Sequence, residues 1–192
     1  MYQKRNNELT VIALYTSNYT NKFYLREIRK LAKIPLKTSQ NILANLEKER
    51  ILKSKLEGKN KYFSLNLENI QTKSYLLQTE IYKLDNFLKK YPQFKIFLKS
   101  LNTNISIIIF GSFASLKAEK YSDLDLLILS KEKQELPFHL LPYKTHKIEL
   151  SEDSFKKALN EKETLIKEIE ENHIILNNPS SYVNIVWNCY EK

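Results

Sequence analysis

Residues 105–129, ISIIIFGSFASLKAEKYSDLDLLIL, decide the fold of this 192-residue chain. The stretch opens with a short apolar run rich in β-branched residues, 105–110, which predicts a buried strand. Gly111 and Ser112 end that run, and an Ala- and Leu-containing segment after them predicts the start of a helix. A second apolar run follows at 124–129. We therefore expect a βαβ-like unit at the centre of the chain.

Two carboxylates stand at the start of the second run. Alternate residues of a strand point to one face, so Asp123 and Asp125 project side by side while Leu124 turns into a core. Adjacent carboxylates repel each other, and Mg²⁺ relieves this repulsion because it binds one or two carboxylates together with substrate phosphates. Backbone N–H groups at the turn after the first strand suit a phosphate. The alternative is that Asp-x-Asp only caps a helix or solvates a strand end.

The order of apolar strand, Gly-Ser, short helix and Ser-Asp-x-Asp resembles the motif of the nucleotidyltransferase superfamily that includes DNA polymerase beta. It is most similar to the small archaeal and bacterial minimal members. Many minimal members carry a second glycine where this chain has Leu116. The resemblance implies an α/β fold of the α+β type, with a small mixed sheet and flanking helices. The matching positions are Gly111, Ser112, Ala114, Ser122, Asp123 and Asp125.

The activity implied by this resemblance is metal-dependent transfer of a nucleoside monophosphate from a nucleoside triphosphate, with ATP as the expected nucleotide and Mg²⁺ or Mn²⁺ as the metal. Asp123 and Asp125 would hold the metal ion. The nucleotide would bind at Gly111, Ser112 and Ser122.

The superfamily completes its metal site with a third carboxylate on a neighbouring strand. A third strand is predicted at residues 144–150, KTHKIEL, and Glu149 is the expected third catalytic and metal-binding carboxylate. It could also act as a base toward the attacking group. The alternative is that Glu149 is a surface residue on an edge strand.

The composition excludes several classes of protein. Hydrophobic residues make up 42% of the chain, which is typical of a globular protein, and no apolar run approaches the length needed to span a bilayer. The N-terminal segment lacks the apolar core of a signal peptide. The single Cys189 excludes an internal disulfide framework, and the three histidines show no zinc-site spacing. These observations predict a cytoplasmic protein without membrane contact.

The formal charge of +9 is concentrated in the first third of the chain. Residues 1–66 contain 14 Lys and Arg against 5 Asp and Glu, whereas the remainder contains 17 of each. A basic domain beside a neutral one is typical of nucleic-acid binding. The alternative is a basic surface that serves only solubility.

The pattern in this basic third resembles a winged helix-turn-helix. Three helical patterns at 7–15, 24–32 and 38–50 precede two strand-like runs at 51–56 and 62–67, which flank a hairpin turn. The resemblance implies that the third helix enters the major groove while the wing contacts the DNA backbone. The alternative is a protein-interaction module. The expected DNA contacts are Lys37, Thr38, Ser39, Gln40, Asn41, Asn45, Lys53, Lys55, Lys59 and Lys61.

We expect three segments: a winged helix-turn-helix domain at 1–67, a helical linker at 68–101 and a minimal nucleotidyltransferase domain at 102–192. The first linker helix, which Pro92 ends, either supports a homodimer or packs on its own domain.

Minimal members of the superfamily are paired with a small helical partner in toxin–antitoxin systems, and the resemblance permits such a partner here. Trp187 is expected in the core rather than as a base-stacking platform.

Two functions fit these features. The first is a DNA-binding nucleotidyltransferase whose acceptor is a protein, a nucleic-acid end or a small molecule. The second is a DNA-binding transcriptional regulator whose nucleotidyltransferase domain is inactive or only senses nucleotide. The paired aspartates favour the first function, whereas Leu116 and the uncertain third carboxylate favour the second.

Overall fold

The computed structural model describes residues 2–132 and 135–191, with side chains from residue 6 onward. The chain divides into two compact units, Met1–Tyr82 with Tyr190–Lys192 and Lys83–Cys189. The division falls within one long helix, α4 (Ile70–Lys90). Residues 68–101, the expected linker, therefore fall partly in each unit, and the three expected segments remain a prediction.

Besides the first part of α4, the described residues of the first unit form three α-helices and a small antiparallel sheet. The helices are α1 (Tyr2–Ile12), α2 (Leu25–Ala32) and α3 (Leu36–Lys48). The strands are β1 (Lys22–Tyr24), β2 (Leu52–Glu57) and β3 (Asn60–Leu65), in the order β1-β3-β2. The predicted helices and hairpin are present, whereas β1 was not predicted because three residues are too few for a strand pattern.

Local chemistry explains the turn between α2 and α3. The Glu27 carboxylate accepts a hydrogen bond from the backbone N–H of Tyr24, which satisfies a donor at the start of α2. Lys33 adopts a left-handed conformation (φ 54°) and ends α2. Pro35 then precedes α3, whose Ile42, Leu43 and Leu46 are buried. Helical spacing thus directs one face of α3 into the core and leaves the opposite face to solvent.

Glu47 joins α3 to the hairpin. Its carboxylate accepts hydrogen bonds from the Ser54 hydroxyl and from Lys61 Nζ, the latter at 2.7 Å. The bonds from Lys61 and then Ser54 hold the pKa of Glu47 below its usual value. A lowered native pKa stabilises the fold above the unfolded-state pKa, about 4.3, and that stabilisation is lost as the pH falls through the native value.

We expect Glu47→Gln to reduce the free energy of unfolding at pH 7 by at most about 1 kcal/mol, because the pair is partly solvated. The difference from the native chain should shrink as the pH falls below about 4. Urea unfolding at pH 7 and pH 3 measures both values. Glu68→Gln is the matched control, since Glu68 is 85% exposed and lies 3.4 Å from Lys53. An equal effect of the two substitutions at pH 7 would contradict the prediction.

The second unit is built on a mixed four-stranded sheet. Its strands are β4 (Ser106–Phe110), β5 (Leu124–Leu129), β6 (Thr145–Leu150) and β7 (Ile174–Asn177), in the order β6-β5-β4-β7. β4 is antiparallel to β5 and β7, and β5 is parallel to β6. Helices in addition to α4 are α5 (Phe94–Lys99), α6 (Gly111–Ala114), α7 (Glu152–Glu161), α8 (Thr164–Glu171) and α9 (Pro179–Tyr190).

The antiparallel pairing of β4 and β5 corrects the expected βαβ-like unit. A parallel return requires a crossover that runs the length of the sheet, usually along a helix. The only helix in the connection, α6, has four residues and cannot span that distance. The chain reverses instead, and Phe110 pairs with Asp125.

An aromatic core covers one face of this sheet. Its largest fully buried members are Phe87, Phe94, Phe97 and Phe113, and all are at most 1% exposed. They pack with the inward side chains of β4, β5 and β7. Trp187 of α9 is 1% exposed, which confirms that it belongs to a core.

No helix in the described residues is long and apolar enough to cross a lipid bilayer.

Candidate functional site

The two aspartates lie where β5 begins. Asp125 is the second residue of β5, and Asp123 immediately precedes the strand, so both fall on the same face. Their side chains are 31% and 35% exposed, respectively. Leu124 between them is fully buried in the aromatic core. Burial of Leu124, whose side chain points away from the two aspartates, thus fixes the position of the pair.

Gly111 allows the Asp125 carboxylate to approach the backbone. Gly111 begins α6 with φ +68°, a conformation that L side chains rarely adopt. A Cβ at this position would lie 2.6 Å from Asp125 Oδ2. Both the backbone conformation and the available space therefore require glycine here.

Two other motif residues, Ser112 and Ser122, lie between Gly111 and Asp123 in the chain. Ser112 is half-buried in α6, and within the described chain its hydroxyl makes no hydrogen bond. The Ser122 hydroxyl accepts a hydrogen bond from the backbone N–H of Glu119 at 2.8 Å. Ser122 therefore holds the loop just before Asp123, a structural contact in addition to the predicted nucleotide contact.

Leu116, the departure from the superfamily pattern, adopts the conformation that glycine would favour. Its φ is +59°, its side chain is 38% exposed, and its carbonyl oxygen accepts a hydrogen bond from Lys90 Nζ. A non-glycine residue in this left-handed region costs about 1–2 kcal/mol. The turn after α6 is thus strained by a residue that the sequence alone marked as unusual.

We expect Leu116→Gly to raise the free energy of unfolding by about 0.5–1 kcal/mol, because the relieved strain exceeds the extra flexibility of unfolded glycine. Thermal and urea unfolding measure the gain. Lys162→Gly is the matched control, since Lys162 is exposed, has φ 55° and ends α7 away from the motif. The two substitutions should stabilise alike, and a loss of stability in Leu116→Gly would contradict the prediction.

β6 and the residue before it bring two nitrogen-containing side chains to the aspartates. Parallel pairing sets His146 beside Asp125. His146 Nε2 lies 3.6 Å from Asp123 Oδ2, and Nδ1 lies 3.6 Å from Asp125 Oδ1. Lys144 Nζ lies 3.4 Å from Asp123 Oδ2. Burial raises the pKa of Asp125 and the charge of Asp123 adds to this, while His146 opposes it.

The structure does not bring Glu149 to the aspartate pair. Glu149 is paired with Ile128, three residues beyond Asp125 on β5, which corresponds to about 10 Å along the strand. Since His146 shares the face of Asp125, Glu149 lies on the opposite face of the sheet. The prediction of Glu149 as the third carboxylate is therefore wrong. It failed because the register of a parallel pair cannot be read from a single strand.

The donor set suits a metal that arrives with its substrate. Throughout residues 2–132 and 135–191, no group of three or more His, Cys, Asp or Glu side chains is arranged to hold a metal ion. Mg²⁺, however, is commonly bound by one or two carboxylates plus phosphate oxygens. Asp123 and Asp125 provide such carboxylates on one face, so the residues present fit a metal–nucleotide complex.

The predicted DNA contacts on α3 have different environments. Lys37, Gln40 and Asn41 are exposed, and Thr38 and Asn45 are half-buried. Ser39 is fully buried, and its hydroxyl donates to the carbonyl oxygen of Ile34 at 3.3 Å. Ser39 as a DNA contact is therefore wrong, because the helical turn directs it into the core.

The predicted lysines of the hairpin lie on two faces and its tip. Lys53 and Lys55 alternate with the core-facing residues of β2 and project from the outer face. Lys61 lies on the opposite face and pairs with Glu47. Lys59 is exposed in the turn, at the edge of an open groove of about 690 Å³ that Gln40 and Phe63 also line. The hairpin thus presents its lysines in several directions.

The comparison with family models identifies the part of the chain that carries the aspartate pair. Residues 92–178 match the family model of the nucleotidyltransferase domain. The match supports the assignment of this segment to the nucleotidyltransferase superfamily. It covers α5 through β7, and thus every residue of the site around Asp123 and Asp125. Neither the curated proteins nor the solved structures yielded a significant match.

The mixed sheet with its flanking helices is consistent with a nucleotidyltransferase domain, for which transfer of a nucleoside monophosphate is the general activity. Sequence reasoning found the aspartates and Gly111 but missed His146 and Lys144. The available signal was the alternation of KTHKIEL, in which Lys144 and His146 share one face while Glu149 lies on the other. Only the register with β5 showed which face meets the aspartates.

Proposed function

We propose that this chain transfers a nucleoside monophosphate from a nucleoside triphosphate to an acceptor and binds DNA through its N-terminal unit. The observation that carries the proposal is the Asp123–Asp125 pair beside Gly111, within the segment that matches the nucleotidyltransferase domain. Asp125 lies close to the backbone of Gly111, and burial raises its pKa. Such a carboxylate lowers the stability of the fold, which is typical of a residue that serves a function.

In the proposed reaction, an acceptor hydroxyl attacks the α-phosphorus of the triphosphate. A new P–O bond forms, the bond to the β-phosphate oxygen breaks, pyrophosphate leaves with the electron pair, and the hydroxyl proton is released to water. Asp123 and Asp125 would hold the divalent ion, which would supply positive charge against the triphosphate. Gly111 and Ser112 lie at the start of α6 and interact with the β- and γ-phosphates. Lys144 adds positive charge beside Asp123.

The proposal for the first unit is that it acts as a winged helix-turn-helix. Support comes from its charge excess and from Lys37, Gln40 and Asn41 on the exposed face of α3. Gln and Asn can form paired hydrogen bonds with adenine, and lysines neutralise phosphates. Lys53, Lys55 and Lys59 of the hairpin add exposed charge.

The test is incubation of the full chain with Mg²⁺ or Mn²⁺ and each α-labelled nucleoside triphosphate, with host lysate as the source of acceptors. The Asp123→Asn/Asp125→Asn chain is the matched control, because it keeps the size of both side chains and removes their charge. Label on a protein, nucleic acid or small molecule that disappears with the control supports transfer and identifies the acceptor class. No label with any nucleotide would contradict it.

A second candidate function is a DNA-binding regulator whose nucleotidyltransferase domain only binds nucleotide. The observation that favours it is the absence of a third carboxylate from the β6 position beside Asp125, where the described chain has His146. This function predicts no label transfer, stabilisation by nucleotide and Mg²⁺, and binding of duplex DNA that weakens steeply with salt. The labelling experiment and a DNA-binding titration over salt concentration separate the two functions.

A further inference from the structure

A histidine occupies the sheet position nearest to the aspartate pair. Asp125 and His146 are register partners on adjacent parallel strands, and both ring nitrogens lie 3.6 Å from a carboxylate oxygen. With its side chain 58% exposed, His146 has room to rotate. In its present orientation each nitrogen faces a different aspartate, which agrees with the lack of a preformed three-residue metal group among the described residues.

The site carries little negative charge for a metal centre. The Lys144 ammonium lies 3.4 Å from Asp123, and the His146 imidazole, which faces both carboxylates, supplies no negative charge. Affinity for a divalent cation rises with the number of negative ligands, so the pair alone should bind a free ion weakly. A triphosphate supplies the missing anionic oxygens.

We propose that His146 is the third protein ligand of the ion that enters with the nucleotide, and that it makes the site select first-row transition ions over Mg²⁺. This inference rests on the proposed function. Mg²⁺ prefers oxygen ligands in near-ideal octahedral geometry, whereas imidazole nitrogen is a good ligand for transition ions. A small rotation of the exposed ring turns one nitrogen toward the ion shared by Asp123 and Asp125. His146 thus takes the place that a carboxylate would otherwise fill.

The first measurement is imidazole ¹⁵N NMR of the full chain, using diamagnetic Zn²⁺ and α,β-methylene ATP as probes. The chain has three histidines, so assignment is direct. We expect Zn²⁺ with the analogue to shift the signal of one His146 ring nitrogen strongly, because a diamagnetic ion shifts the nitrogen that it binds. His139, which is exposed, and His173, which is buried, serve as internal controls. An unshifted His146 under saturating Zn²⁺ and analogue would overturn the proposal.

The second measurement compares Co²⁺ and Mg²⁺ affinities by calorimetry in the presence of the analogue. In His146→Asp, the preference for Co²⁺ over Mg²⁺ should fall at least tenfold relative to the native chain, because an oxygen ligand replaces nitrogen. His146→Gln should weaken Co²⁺ binding and serves as a second variant if the first folds poorly. Glu149→Gln is the matched control on the same strand and should leave both affinities unchanged. An unchanged preference in both His146 variants would overturn the inference.

These experiments distinguish this inference from the proposed function. If the analogue binds and Asp123→Asn/Asp125→Asn abolishes its metal dependence, but His146 signals and metal preference do not respond, only the role of His146 is wrong. If the analogue does not bind the native chain with either ion, the proposed function fails and this inference fails with it.

Discussion

Gly111→Ala is expected to lower the free energy of unfolding by about 2–5 kcal/mol and to weaken nucleotide binding more than tenfold. The left-handed backbone at Gly111 costs an alanine about 1–2 kcal/mol. The added Cβ would lie 2.6 Å from Asp125 Oδ2, and relieving such overpacking costs about 1–3 kcal/mol more. Because the atom that must move belongs to the aspartate pair, the fold and the site are affected together. Urea unfolding and calorimetry with α,β-methylene ATP and metal measure the two effects.

Gly58→Ala is the matched control. Gly58 has φ +60°, and an added Cβ would meet nothing within 4 Å, so only the backbone term remains. We expect a loss of about 1–2 kcal/mol and unchanged nucleotide binding. In an Asp125→Ala background, Gly111→Ala should lose its steric term and become similar to Gly58→Ala. Equal stability losses for Gly111→Ala and Gly58→Ala in the native background would contradict the prediction.

Phe113→Ala is expected to lower the free energy of unfolding by about 3–5 kcal/mol. Phe113 is 1% exposed, and its ring lies 5.3 Å from Tyr91 and 4.6 Å from Tyr143, centroid to centroid. α6 has only four residues, so its stability depends on this packing rather than on its own hydrogen bonds. Faster amide exchange at 111–115 and weaker nucleotide binding should accompany the loss.

Phe97→Ala separates core stability from positioning of the site. Phe97 is fully buried in the same aromatic core, but it lies on α5 and stacks on Phe138 at 5.6 Å. It should destabilise the unit by a similar amount and leave nucleotide binding unchanged under conditions where the chain remains folded. If both substitutions changed nucleotide affinity equally, the proposed role of Phe113 in holding α6 would be wrong.

Local sequence predicted the two central strands of the second unit and its long helix. The strands at 105–110 and 124–129 were predicted as β4 and β5 because their apolar runs are short and end at turn residues or carboxylates. The long helix ended where Pro92 requires. The βαβ-like arrangement was wrong because strand direction depends on pairing between segments, which an apolar run does not specify.

The candidate site also combines residues that the sequence could predict with residues that only strand pairing reveals. Asp123, Asp125 and Gly111 could be found from sequence because they lie in one short motif with fixed spacing. His146 could not, because its position beside Asp125 depends on the register of two strands separated by fifteen residues of chain. Ser39 was misassigned although helical spacing already places it inward, because it lies three, four and seven residues before the buried Ile42, Leu43 and Leu46.

The sequence by itself determined the concentration of positive charge in the first third, the carboxylate pair and the glycine that the turn requires. These are properties of composition and of neighbours in the chain, which spacing and backbone preference decide. Tertiary structure alone decided that Phe110 faces Asp125, that His146 and Lys144 approach the aspartates, and that Glu149 lies on the opposite face. These contacts follow from strand direction and register, which are set by the packing of distant segments around a common core.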